Sequence, residues 1–262
     1  MNLIDRLRHH RRLLLPGLVA LLCLAMLVSP PISQPPDYHD WADQRGLWGI
    51  PNAGDVISNL GFLLVGLYGL FSLYRGQCCC RRPGETLAWS LLFFGVCLTA
   101  LGSSIYHWTP DNHTLLWDRL PMAWSFMALL AALLIERGNP RLGIVLLPVL
   151  IVLGLVSVMA WYASETAGNS DLRPYLLAQG GTLVLIPALL LLYRPVYDLG
   201  HGYLVALALY LLALLAEWLD AWLFSLTGLI SGHSIKHLIA ALAIYWLLRM
   251  LRRRKPLITR PD

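Results

Sequence analysis

A chain of 262 residues that is 57% hydrophobic and only 13% charged, with a mean hydropathy of +0.61, is incompatible with a water-soluble domain of that size. It reads as an all-α, polytopic membrane protein. The excess of 20 Lys+Arg over 15 Asp+Glu follows from loop topology and attraction to anionic headgroups, so the charge balance calls for no nucleic-acid partner.

In chain order, the basic run Arg6 to Arg12 precedes a first apolar stretch at roughly 13 to 30, closed by Ser29-Pro30-Pro31. A cleaved signal peptide would share the basic start, but no small-x-small cleavage pattern follows, and the prolines read as a helix stop. The expectation is a retained transmembrane anchor. Seven more stretches near the ~20 residues needed to cross a hydrocarbon core lie at roughly 55 to 75, 86 to 107, 117 to 136, 141 to 162, 174 to 193, 203 to 225 and 233 to 251. The predicted layout is an N-terminal basic segment and anchor (1–30), a polar outer loop (31–56), a seven-helix bundle (57–251) and a basic tail (252–262).

Basic clusters fall at alternate ends of these stretches: Arg6 to Arg12, Arg75 with Arg81 and Arg82, Arg137 with Arg141, Arg194, and Arg252 to Lys255. The remaining loops are mostly acidic, with Asp40, Asp43, Asp55, Asp111, Glu165 and Asp171. The positive-inside rule then places both termini in the cytoplasm. Short loops and the lack of a sorting tail favour a bacterial inner membrane. Asn112-His113-Thr114 matches a glycosylation sequon but lies too close to the membrane to serve as one. Cys78, Cys79 and Cys80 fall in a basic cytoplasmic loop and read as reduced thiols rather than a metal site. Trp41, Trp48, Trp108 and Trp117 suggest an interfacial aromatic belt.

The chemistry-bearing pattern is Ser103-x-x-x-His107, then Asp118, then His233-x-x-x-His237. On this topology all of them converge at the outer boundary. One helical turn separates His233 from His237, so their side chains lie roughly 5 to 6 Å apart on one face, the geometry in which paired histidines hold zinc in soluble hydrolases. The alternative is that the histidines cap helix ends. Ionisable groups within a bilayer are costly unless partnered or functional, and four at one depth point to a site. Glu217 and Asp220 read as lying on one face of the seventh of the eight apolar stretches, 203 to 225.

This motif set resembles the signature of the alkaline ceramidase family, within the membrane-hydrolase superfamily that includes adiponectin-receptor-like proteins. The resemblance runs from about Asp40 to His237 and implies a seven-helix bundle, to which the anchor is an addition. It implies that His107, His233 and His237 bind zinc, that Asp118 engages the zinc-bound water and that Ser103 faces the scissile carbonyl of a ceramide-like lipid. The segment from His39 to Arg45, with Asn52 and Asp55 to Asn59, resembles the family's calcium loop, which implies Asp40, Asp43, Asn52 and the Trp41 carbonyl as calcium ligands. Here Asn52 replaces a family glutamate and Arg45 replaces a neutral residue, so turn residues with an Asp43–Arg45 or an Asp55–Arg45 ion pair are the competing expectation. Asp220 is expected to accept the second ring N–H of a zinc-bound histidine, and Glu217 to face the substrate cavity or pair with a polar group, Lys236 included. The functional reading is an amidase acting on ceramide or a related N-acyl lipid. Its rivals are a lipid-responsive receptor or scaffold with structural zinc, a proton-coupled transporter, and a hydrolase of another bond.

Overall fold

Among the described residues, local capping and a continuous apolar pattern give eleven helices: α1 (Leu3–His9), α2 (Arg11–Val28), α3 (Ala53–Ser58), α4 (Leu60–Tyr74), α5 (Glu85–Trp108), α6 (Asn112–Arg137), α7 (Pro140–Thr166), α8 (Arg173–Leu192), α9 (Gly202–Trp218), α10 (Asp220–Thr227) and α11 (Gly232–Arg253). They come from a computed structural model that describes residues 3–257. Residues 1–2, and the end of the expected basic tail at 258–262, lie outside the described residues. The start of α6 is fixed by a capping box, in which Asp111 accepts the Thr114 N–H at 2.7 Å and Thr114 Oγ1 accepts the Asp111 N–H at 3.1 Å. Asn139 caps α7, with Pro140 in its first turn, and Ser231 caps α11.

Seven helical segments are long and apolar enough to cross a membrane, with α3 and α4 forming one of them. The expected span at 203–225 is not one straight helix: it is a pair, α9 and α10, that together are long and apolar enough to cross but are bent by 76°. No proline or glycine lies at the break. Its visible cause is tertiary, because Asp220 turns its carboxylate away from the helix to take two backbone N–H groups described below.

The chain forms one helical bundle, in which α6 packs against α5, α7 and α8, while α11 packs against α9 and α4. Lipid tails are as apolar as leucine, so close backbone approach has to supply the association energy. Small residues provide it on α6, where Ala128, Ala131 and Ala132 are fully buried. At Gly102 a Cβ would stand 2.0 Å from the Trp117 carbonyl oxygen, so only glycine lets α5 and α6 meet beside Ser103 and Asp118. α2 buries none of its residues and lies along α8, as the expected apolar anchor would.

The end opposite the histidines is closed by a buried ionic cluster. Arg254 pairs with Glu136 at 2.6 Å and approaches Glu85 at 3.6 Å, and its guanidinium stacks on Tyr197. Tyr197 donates to Glu85 at 2.7 Å and Tyr203 donates to Glu136. Arg254 also donates to the Cys79 carbonyl at 2.8 Å, tying the cysteine loop to the end of α11. The cysteines are free. Burial pushes the Cys78 thiol up to about 12 and that of Cys80 up to about 11, so both are protonated and poor nucleophiles.

Two predictions follow from these packing relations. Gly102→Ala forces the α5–α6 backbones apart and is expected to cost at least ~1–3 kcal/mol, as overpacking does, read as a lower unfolding midpoint in detergent. Arg254→Met leaves Glu85 buried without a cation and Glu136 with Arg137 alone, and is expected to cost about 3–5 kcal/mol in the same measurement.

Candidate metal centre and active site

The first turn of α11 carries two of the three histidines and is pinned from several sides. Ser231 and Ser234 both donate to Asp55 of α3, at 3.1 and 2.6 Å, and Asp55 is fully buried. Asp220 accepts the His233 N–H at 2.7 Å and the Ala42 N–H at 2.8 Å, so a single carboxylate holds α11, the α9–α10 break and the outer loop. Gly232 is required where these elements meet, because a Cβ there would lie 2.1 Å from the Ala216 carbonyl oxygen. His107 arrives from the last turn of α5, and its own carbonyl accepts the Asn52 side-chain N–H at 2.8 Å.

These constraints bring the three rings together in the interior. Ring centroids are 4.7 Å apart for His107 and His233, 5.1 Å for His107 and His237, and 4.7 Å for His233 and His237. All three residues are buried, and one nitrogen from each lies within 4.8 Å of the others. Nε2 of His107 is 3.1 Å from Nε2 of His233. Two nitrogens bound tetrahedrally to one zinc at ≈ 2.0–2.1 Å stand about 3.3 Å apart.

The hydrogen bonds at the far side of the rings fit the same role. Ser58 Oγ donates to the Asp55 carbonyl at 2.9 Å and lies 2.8 Å from Nδ1 of His237. With its one proton committed, the hydroxyl accepts from Nδ1–H, which leaves Nε2 of His237 as an unprotonated ligand. Nδ1 of His233 is 3.5 Å from the Glu217 carboxylate, and Nδ1 of His107 is buried without a hydrogen-bond partner. The donor set thus fits a zinc ion. Asp220 does not take the role expected of it: its two oxygens bond backbone N–H groups, and the carboxylate nearest a histidine ring belongs to Glu217. Nor do Glu217 and Asp220 share one helical face, because the break at Leu219 separates them. Glu217 makes the expected contact with Lys236, at 2.7 Å, and also lines the cavity.

Ser103, buried one turn before His107, interacts with the Asp118 carboxylate across the close α5–α6 contact. Both line a cavity of about 420 Å³ that His237 also borders. From this polar end the cavity runs between the helices past Phe62, Leu92, Val96, Leu129, Ile186 and Leu247, an apolar channel suited to hydrocarbon.

The four residues of the expected calcium loop are placed differently from one another. Both oxygens of Asp43 are engaged by Arg45, at 2.7 Å from Nε and 2.8 Å from Nη2, and this pair holds the carboxyl below the usual carboxylate range. The competing expectation of an ion pair is the one observed. Arg45 goes on to the Gly228 and Leu229 carbonyls at 2.9 and 2.8 Å, clipping the loop to the end of α10. Asp40 is exposed, the Trp41 carbonyl accepts from Gln44 at 3.3 Å, and Asn52 takes a left-handed conformation with its amide on His107.

Trp41 does not belong to an interfacial belt. Its ring packs on that of His233, with centroids 3.7 Å apart, whereas Trp48, Trp108 and Trp117 are exposed as expected. The role of Ser58, the Trp41 stacking and the buried Arg119 were not foreseen. Ser58 and Trp41 stood within the loop motif, but nothing in their spacing assigns them to a particular ring.

A family model described as Ceramidase matches residues 52–255, and comparison with curated proteins returns no match. The matched region holds Ser103, Asp118 and all three histidines. Together with the membrane-spanning bundle around them, it establishes that the chain belongs to the ceramidase family of lipid-hydrolysing membrane enzymes.

Proposed function

We propose that the protein is a zinc-dependent integral-membrane amidase that cleaves ceramide or a related N-acyl lipid into a fatty acid and a sphingoid base. The observation that carries this reading is the convergence of three buried histidine nitrogens beside the Asp118–Ser103 pair at the polar end of an apolar cavity. A zinc ion held by the triad supplies Lewis acidity and lowers the pKa of water to near ~7.

The remaining work falls to the chain's own side chains. Asp118 receives the proton of the attacking water as the C–O bond forms, and returns it to the amide nitrogen as the C–N bond breaks. The products are then a carboxylic acid and a free amine. Ser103, released from Asp118 by rotation about χ1, donates to the carbonyl oxygen as negative charge develops there. The apolar channel holds the hydrocarbon and excludes competing water. Ser58 fixes the ring of His237, while Glu217 and the stacked Trp41 restrain that of His233. By charge placement, the histidine end faces outward from the cytoplasm.

A receptor or scaffold with structural zinc would use a closed site with four protein ligands. Among the described residues the cluster contains three His, Cys, Asp or Glu ligands, and a cavity borders it, which favours the hydrolase.

Alanine at His107, His233 or His237 is expected to abolish both stoichiometric zinc and turnover of a fluorescent ceramide in detergent; unchanged zinc content with full turnover would refute the reading. Asp118→Asn should keep its zinc and lose about 10²–10⁴-fold in kcat. Ser58→Ala should weaken zinc affinity by about 10–100-fold, measured by competition with a chelator.

A further inference from the structure

Arg119 directly follows Asp118 on α6, lines the same cavity and is only 4% exposed. Every other buried arginine among the described residues meets a carboxylate: Arg137 pairs with Glu136, and Arg254 with Glu136 and Glu85. Arg119 makes no such ion pair. Its guanidinium is walled by the rings of Trp161, Tyr175 and Tyr38, at 4.1, 4.8 and 5.3 Å, and its Nη2 donates to Gln34 Oε1 at 2.8 Å. Asp118, its neighbour, faces Ser103 instead, and the cavity's other cation, Lys236, is matched by Glu217.

Two donors are left over at this point. Arg119 Nη1 and Gln34 Nε2 are both buried and have no protein partner, and they belong to the two residues joined by the Nη2–Oε1 bond. Aromatic faces attract a desolvated cation but accept no hydrogen bond along its N–H directions, so they leave the donors of the guanidinium unfilled. A buried guanidinium with no carboxylate in ion-pairing contact, beside a second free donor, matches the two-oxygen geometry of a carboxylate or phosphate. The α6 register sets its depth, since Arg119 stands seven residues into a helix that starts at Asn112, at the histidine end of the channel.

We propose that Arg119 and Gln34 form an anion-binding subsite at the polar end of the cavity, which holds a carboxylate or phosphate group of a lipid whose chain occupies the apolar channel. The lipid's identity rests on the hydrolase reading; the subsite itself does not. Two sources share this chemistry: the fatty acid released in the cavity, and an acidic headgroup on the incoming lipid.

The test is equilibrium binding to the full-length, zinc-loaded protein in neutral detergent, with no turnover required. Hexadecanoate is compared with hexadecanol, and an N-acylsphingosine 1-phosphate with the parent ceramide. Wild type should prefer the anionic member of at least one pair by about tenfold or more. Preference confined to hexadecanoate assigns the subsite to the released acid, and preference for the phosphate assigns it to a headgroup. Gln34→Glu gives Arg119 an internal counterion and should erase the preference to within twofold while leaving the neutral probe's affinity unchanged; Arg119→Gln should do the same. Because Gln34→Glu completes a buried ion pair, it keeps the test decisive if Arg119→Gln does not fold. No anionic preference in wild type, or a preference that survives both variants and so resides at the metal, overturns the proposal. Full turnover in the histidine variants with this preference intact would be failure of the catalytic reading alone, whereas lost turnover in those variants with no anionic preference in wild type would be failure of the subsite alone.

Discussion

Polar groups at bilayer depth must find their partners within the protein, because hydrocarbon offers none. In this chain that requirement gathers its buried polar residues into two clusters at opposite ends of the bundle. At one end Arg254, Glu85, Glu136, Tyr197 and Tyr203 form a closed ionic cluster, in which opposite charges lie against one another even where Glu85 Oε1 and Arg254 Nη2 make no hydrogen bond. At the other end His107 Nδ1, Arg119 Nη1 and Gln34 Nε2 lack protein partners among the described residues, and Arg119 has no carboxylate in ion-pairing distance. The two ends differ in charge pairing, and at the second Arg119 and Gln34 line the cavity, where unfilled capacity is costly to keep unless a ligand uses it.

The histidine triad is assembled from residues far apart along the chain. His107 and His233 are 126 residues apart, yet their Nε2 atoms lie 3.1 Å apart. Two glycines permit this by removing a Cβ where backbones touch: Gly102 where α5 meets α6, and Gly232 where α11 meets the α9–α10 break. The same contacts put Ser103 against Asp118 and His233 against Trp41. Helix packing and site geometry are therefore set by the same few residues.

Much of this was legible in the sequence. The apolar stretches marked the membrane helices to within a few residues, because burial in lipid imposes a minimum length and forbids charge. Ser103, His107, Asp118, His233 and His237 stood out for their depth and spacing, and Arg45 beside Asp43 foreshadowed their ion pair. What could not be read depended on which helices become neighbours. The bend at Leu219 has no proline or glycine to announce it and arises from Asp220 reaching Ala42 and His233. The pairing of Ser58 with His237, and of Gln34 with Arg119, spans 179 and 85 residues, and no local pattern encodes either.

Asp220 also ties two distant parts of the molecule together. Its carboxylate takes the amide of Ala42 with one oxygen and that of His233 with the other, so the outer loop and the histidine turn share one anchor. Ser231 and Ser234 hold the turn to Asp55 independently, so displacing the loop removes one of its supports and leaves the others. A cation that favours the assembled triad would through this shared anchor also favour the docked loop, by at most RT ln(1 + [L]/Kd).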